Sequence, residues 1–493
     1  MNSSNGTERP AATEFRLAEW LAQPSLNRLS CGDQLVQVEP KLMDVLVFLA
    51  ENAGQVVSKN EITDAVWPEV FVTESVITRS IAGLRRAFGD DVKSPSFIET
   101  ISKRGYRLIA EVKWVSATDE DRTGPRPSRP TGSPDISRTT VPFVVGQWVR
   151  RENFYGRAAV IEEVLQGNRN WLWLLGTRRI GKTSVLKQLE HLAVNSPDLG
   201  FVPVFWDLQG ADRPDEIHLD FADALLDAEE RLEAVGIRLT EVRTEDLFES
   251  LGRLRRKLLS KDLRLLLLCD EVEELIQLNR QDPSILRKLR RALHSRDGIR
   301  SVLASSSRLW QLAETDEDTS PFLDGFTPPL SIGCLDDEAA RQLIQQTQLP
   351  ESSRPSFSDD EVERIRRQCG NHPYQIQLLC RRALDRGGLD EAVEDVAHDR
   401  AVSFFFSVDF ELVGDTERTI LRLLAEQPNA SLTEISRHIQ DSSDAVATSL
   451  SALHELGLVA RDPGGRHEIA SEFLRRWLVE GAAIPPSNAK QSP

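Results

Sequence analysis

Gly176-Thr177-Arg178-Arg179-Ile180-Gly181-Lys182-Thr183 fits G-x-x-x-x-G-K-[ST], a loop whose backbone N–H groups curl inward around phosphates. In such a loop the lysine, here Lys182, reaches the β- and γ-phosphates, and the hydroxyl after it, here Thr183, helps hold Mg²⁺. The pattern needs a strand in front and a helix behind. Trp171 to Leu175 is an apolar run of strand length, and Ser184 to Leu189 continues with Leu186 and Leu189 on one helical face. The loop residues and Ser184 are therefore the candidate phosphate-binding set, and the implied cofactors are ATP or ADP with Mg²⁺.

Downstream, the apolar run Leu265 to Cys269 ends in Asp270-Glu271. A carboxylate at the end of a strand suits the Mg²⁺ shell, and a second one beside it suits the attacking water. The alternative for this pair is two capping acids at a helix N-terminus. Another strand, Ser301 to Ala304, runs into Ser305-Ser306-Ser307-Arg308, where polar groups can sense a γ-phosphate. Lys182, Asp270, Glu271 and Arg308 form the expected catalytic set, and Thr183 and Asp270 the expected metal pair.

The chain has 493 residues, a net charge of −17 and 28% charged residues. That length predicts several domains, and that charge excludes a histone-like polyanion coat, because counterion release needs clustered cations. Five cysteines, Cys31, Cys269, Cys334, Cys369 and Cys380, lack C-x-x-C spacing and suit reduced thiols in a cytoplasmic protein; a Cys369–Cys380 pair stays open. The polar N-terminus has no signal core and no apolar run reaches a membrane span, so no membrane partner is expected.

The expected organisation is multidomain α/β. It comprises a tail (1–13), a winged-helix domain (14–114), a flexible linker with several prolines (115–145) and a P-loop α/β core (146–330). A helical lid (331–400), a C-terminal winged helix (401–480) and a second tail (481–493) follow. In the first domain, helices are expected over Pro40 to Asn52, from Ser58 to about Ala65 with Glu61 completing a capping box, and over Thr73 to Phe88. Strands near Phe97 to Thr100 and Tyr106 to Ile109 flank the turn Lys103-Arg104-Gly105.

The segments Glu39 to Leu49, Gly54 to Ser58, Ala65-Val66-Trp67, Ile81 to Arg86 and Arg104 to Leu108 resemble the OmpR/PhoB-type winged-helix family, including its leading strands at Phe15 to Val38. The resemblance implies that the third helix enters the major groove of double-stranded DNA and that the hairpin touches the minor groove. It places contacts at Thr78, Arg79, Arg85 and Arg86 on the helix and at Lys103 and Arg104 on the wing. A protein-docking role for this domain is the alternative. The receiver domain and the membrane anchor of some family members are not found in this sequence.

Residues from about 150 to 480 resemble the STAND ATPases and the neighbouring archaeal-type ATPases, through Gly156-Arg157, the loop, Asp270-Glu271, Ser306-Ser307-Arg308 and Gly370-Asn371-His372-Pro373. The resemblance puts Gly156 and Arg157 beside the adenine, Arg308 at the terminal phosphate and Pro373 against the base from a helical lid. It makes the last domain a winged-helix lid in which His467 touches the ADP β-phosphate; an ordinary wing residue is the alternative. The repeat array that usually ends such proteins is not found. Together these domains imply a transcription regulator whose nucleotide state controls conformation or assembly, with a homo-oligomer in the ATP state and a contact to RNA polymerase. The rival is a DNA-targeted or partner-stimulated ATPase of transposition, repair or defence.

Overall fold

The computed structural model describes residues 14–24, 28–31, 34–38, 40–66, 74–90, 95–101, 104–114, 142–211, 213–214, 216–294, 297–312 and 322–480. The chain divides into two compact units, Met1–Thr139 and Thr140–Pro493. The tails and residues 115–141 of the expected linker lie outside the described residues.

In the first unit, β1 (Phe15–Leu17), β2 (Trp20–Gln23), β3 (Arg28–Cys31) and β4 (Gln34–Gln37) form an antiparallel sheet. Next come α1 (Pro40–Glu51), β5 (Val56–Val57), α2 (Lys59–Val66) and α3 (Glu74–Phe88), then β6 (Ile98–Ile101), β7 (Gly105–Leu108) and β8 (Val112–Trp114). β8 closes back onto β1, and β5, β7 and β6 make a second small sheet. Leu46 and Leu49 of α1, Ile62 of α2 and Ile77, Ile81, Leu84 and Phe88 of α3 are buried together with Phe15, Leu17 and Tyr106. This is the expected helix-turn-helix with a hairpin wing. The capping box at the start of α2 is present: Ser58 N–H and Oγ both donate to Glu61 Oε2, at 2.8 and 2.7 Å, and Glu61 N–H donates back to Ser58 Oγ at 3.2 Å. Gly105 has φ +128°, and a Cβ there would sit 1.9 Å from the Val57 carbonyl oxygen, so the wing turn admits only glycine.

The second unit is built on a parallel sheet of five strands, β9 (Trp171–Leu175), β10 (Phe201–Asp207), β11 (Arg264–Asp270), β12 (Ile299–Ser305) and β13 (Leu330–Ser331), in the order β10-β11-β12-β9-β13. Helices cover both faces. β11 reads Arg-Leu-Leu-Leu-Leu-Cys-Asp because a central parallel strand is buried on both sides. Helix α4 (Ala158–Gln166) precedes β9, and α5 (Lys182–Asn195) follows it directly across the loop. All the parallel strands point their C-terminal ends toward one edge, where α/β proteins of this kind hold ligands.

Beyond the sheet come helices Asp337–Gln345, Asp359–Cys369, Pro373–Arg386, Leu389–Ala397 and Arg400–Leu412. Helices Asp415–Glu426, Leu432–Ile439 and Ser443–Glu455 follow, with the antiparallel hairpin β14 (Val459–Arg461) and β15 (His467–Ile469) and a last helix, Glu472–Glu480. The second winged helix is thus present. The expected boundary at residue 400 does not separate distinct cores: one apolar cluster runs from Leu335 through Val402 and Phe406 to Leu478. It also takes in Phe143, and the Val144 N–H donates to Gln377 Oε1 at 2.8 Å. Pro142–Val145, expected in the linker, therefore belongs to this unit.

Candidate functional site

The loop Gly176–Thr183 leaves the end of β9 beside the end of β12, where Gly176 N–H donates to the Ser305 carbonyl at 3.3 Å. Lys182, the first residue of α5, points its amine back at the carbonyls of Gly176 and Thr177, 3.1 and 3.0 Å away. Thr183 Oγ1 donates to Asp270 Oδ2 at 2.6 Å, although β12 separates the Asp270 strand from the loop strand. The two halves of the expected metal pair are thus together, and a hydroxyl with a carboxylate is the hard-oxygen set that Mg²⁺ takes. Asp270 ends β11, and Glu271 stands at the N-cap of the 3-10 turn Val272–Glu274 without a side-chain capping bond. Glu271 turns off β11 with φ +50°, and its N–H meets Asp270 Oδ1 at 3.1 Å.

Three carboxylates crowd this edge. Burial raises the Asp270 and Glu271 carboxyls above their ordinary values, and each acid raises a neighbour further. The third is Asp207, opposite Asp270 in the β10–β11 register and also raised by burial. Sequence reading missed it, though its place at the end of a strand-like run was a usable signal. A cation is the natural partner for such a cluster.

The remaining expected residues are placed as follows. Thr177 and Ile180 are buried in the loop, Gly181 carries its sharp turn at φ +104°, and the buried Ser184 hydroxyl accepts the Val149 N–H at 3.0 Å. Gly156 and Arg157 both have positive φ just before α4. The Arg157 guanidinium donates to the carbonyls of Gly333, Ile180 and Cys334 at 2.5, 3.3 and 3.3 Å, so it ties the loop to the segment after β13. Ser305 is committed to Trp173 Nε1 at 2.8 Å, Ser306 N–H to Glu273, and Arg308 is exposed in the turn Ser307–Leu312.

A cleft faces the loop. Thr177, Arg178 and Arg179 line it on one side, and His372, Tyr374, Phe405 and Asp409 on the other, with Gly457 and Leu458 from the last winged helix. His372 lines this cleft, and Pro373 heads the helix Pro373–Arg386 directly after it. His372 Nδ1 is buried without a hydrogen-bond partner among the described residues, and burial, with Arg157 nearby, lowers its pKa to about 4. His467 is not in the cleft. It is buried on β15, where its Nδ1 is hydrogen-bonded to His454 Nε2 at 3.0 Å and its backbone bridges Ala430 in both directions. The second winged helix meets the cleft through Gly457 and Leu458.

In the first unit, Arg86 and Arg104 are exposed, on α3 and at the wing. Arg85 departs from expectation: it is buried, and its guanidinium donates to the Ile98 carbonyl at 2.9 Å and Thr100 Oγ1 at 2.8 Å. It braces the helix against the wing instead of facing outward. Lys103 and the side chains of Thr78 and Arg79 lie outside the described residues.

Residues 32–108 match the family described as transcriptional regulatory protein, C terminal. The first unit is an OmpR/PhoB-type winged-helix domain. Over 102 residues the chain is 44% identical to the transcriptional activator CadC of Escherichia coli (strain K12), 20% of each chain, so it spans one fifth of that relative's length. An uncharacterized HTH-type transcriptional regulator of Methanocaldococcus jannaschii is 22% identical over 368 residues, 66% of this chain and 88% of that one. A solved Walker-type ATPase of Pyrococcus abyssi superposes with a TM-score of 0.50 over 69% of this chain and 99% of its own, at 16% identity, which shows a shared fold. No helix among the described residues is long and apolar enough to cross a membrane.

Proposed function

We propose that the protein is a DNA-binding transcription regulator whose second unit binds ATP or ADP with Mg²⁺ and changes conformation or assembly with the state of the phosphate. The observation that carries this reading is the Thr183–Asp270 hydrogen bond beside Lys182, in a chain that also holds an OmpR/PhoB-type domain. Thr183 and Asp270 would hold the metal, Lys182 and the loop N–H groups the phosphates, and Glu271 would orient water, with Arg308 sensing the terminal phosphate. Bound Mg²⁺ supplies positive charge against the phosphates. Gly156, Arg157 and the lid residue His372 would lie beside the base. In the first unit Arg86 and Arg104, with Thr78, Arg79 and Lys103, would meet double-stranded DNA, phosphates fixing position and base edges giving sequence. One winged helix grips DNA weakly, so assembly into an oligomer in the ATP state would raise occupancy through effective concentration, and a contact with RNA polymerase would relay it.

Footprinting and sedimentation of the wild type and Lys182→Ala, each with ATP and with ADP, test this reading. Nucleotide-dependent footprints or oligomer size are expected in the wild type alone. Identical behaviour in all four conditions removes the switch. The crowding of Glu271 with Asp270 favours a second reading, in which turnover is the output. Hydrolysis raised many-fold by DNA would select that one, and slow turnover with retained ADP the first.

A further inference from the structure

Helix Arg400–Leu412 carries an acid that is withdrawn from water. Asp409 is 8% exposed, and its Oδ1 accepts the backbone N–H of Arg178 at 3.4 Å. Arg178 is the third residue of the phosphate-binding loop, whose inward N–H groups suit any anion. Burial pushes the Asp409 carboxyl up to about 6, and the cations facing it are Lys182 and Arg178 of the same loop. A second grip lies alongside. The Arg179 guanidinium stacks 4.1 Å from the ring of Phe405, on Asp409's own helix, and 4.5 Å from the ring of Tyr374. The cleft between loop and helix holds about 30 Å³, room for little more than water. A phosphate entering at the Arg178 N–H would therefore meet Asp409.

We propose that Asp409 is a built-in anion that competes with nucleotide phosphate for the loop, so that phosphate entry expels helix Arg400–Leu412. The inference rests on the loop's taking nucleotide, as proposed above. Two anions held against the same N–H groups repel one another, and the phosphate carries the larger charge. The expelled helix has a receiver. Phe406 and Phe410 pack on Trp477, with ring centres 6.1 and 5.8 Å apart, and Trp477 Nε1 donates to Ser403 Oγ at 3.0 Å. Displacement of Asp409 thus pulls on the last helix, Glu472–Glu480, and makes the second winged helix the element that reports a filled loop.

The test is equilibrium binding of fluorescent ATP and ADP to the full chain as wild type, Asp409→Asn, Asp409→Ala and Lys182→Ala, with amide hydrogen exchange read over residues 400–412. Both Asp409 variants are expected to bind about tenfold tighter than wild type, the scale of one charge-assisted hydrogen bond removed. Nucleotide should speed exchange over 400–412 in the wild type, and Asp409→Asn should exchange fast without it. Wild-type affinity that Lys182→Ala loses, together with Asp409 variants no tighter than wild type, overturns the competition and leaves the nucleotide site standing. No binding by either wild type or Asp409→Asn overturns both. Binding by Asp409→Asn but not by wild type is the strongest form of the expected result.

Discussion

The chain contains two winged helices, and they differ where function would need them to. In the first, α3 carries Arg79 and the exposed Arg86, and the wing turn carries Lys103 and Arg104. In the second, the corresponding helix Ser443–Glu455 has no lysine or arginine. The turn of its hairpin uses Arg466 internally, against Glu434 at 2.9 Å and the Asn429 carbonyl. Its Gly457 and Leu458 line the cleft at the phosphate-binding loop. Nucleic-acid affinity comes from clustered positive charge, so under the proposed function the same fold would face DNA in one place and border the loop in the other.

The largest expected effect separates the two units outright. Gly105→Ala forces a Cβ into the Val57 carbonyl and should cost the first unit about 3 kcal/mol or more, enough to unfold it while nucleotide binding persists. Gly370→Ala, whose Cβ would sit 2.2 Å from the Ala470 carbonyl oxygen, should do the reverse. Calorimetry with DNA-binding and nucleotide-binding assays reads both, and a single shared transition would break the comparison. Next, Lys182→Ala should weaken ATP binding by roughly 100-fold, the cost of removing a charged phosphate partner, with the melting of the first unit unchanged.

A smaller effect sharpens the contrast between the hairpins. Arg86→Ala or Arg104→Ala should weaken DNA binding roughly tenfold and lower the salt slope by about one. Arg461→Ala, exposed on the second hairpin, should leave DNA binding within about twofold. Equal losses from the two hairpins would mean that both winged helices touch DNA.

The smallest effect concerns pH. Burial holds Asp220 up to about 7 and Asp409 up to about 6 in the second unit, whereas in the first unit Ser58 holds Glu61 below its ordinary value. From the ordinary carboxylate value near 4 up to those raised values, the folded second unit binds more protons than the unfolded chain, so its stability falls as pH rises through that window and levels off above it. Asp220→Asn should reduce the loss between about pH 5 and pH 7.5 by roughly 1–2 kcal/mol, measured by denaturant titration.

Much of this was legible locally. The loop announced itself because its chemistry sits in eight consecutive residues with a strand before and a helix after, and the Ser58–Glu61 cap because its partners are three apart. What escaped depends on distant packing. Arg85 sits one residue after Leu84 and three before Phe88, beside an apolar stripe, and the wing's Ile98 carbonyl and Thr100 hydroxyl turn it inward. His467 looked available because the sequence does not show His454 folding onto it. Asp409 lay unremarked among phenylalanines, since its partner is 231 residues away.

The apolar cluster that begins at Phe143 and ends at Leu478 has a practical corollary for gene architecture. No cut between those residues leaves two halves with finished interiors, so a fragment ending near residue 400 would expose Val402's and Ile420's partners and precipitate. A cassette from residue 142 to residue 480 would instead move intact behind another DNA reader. Under the proposed function, swapping the first unit would change the DNA sites and leave nucleotide binding in place.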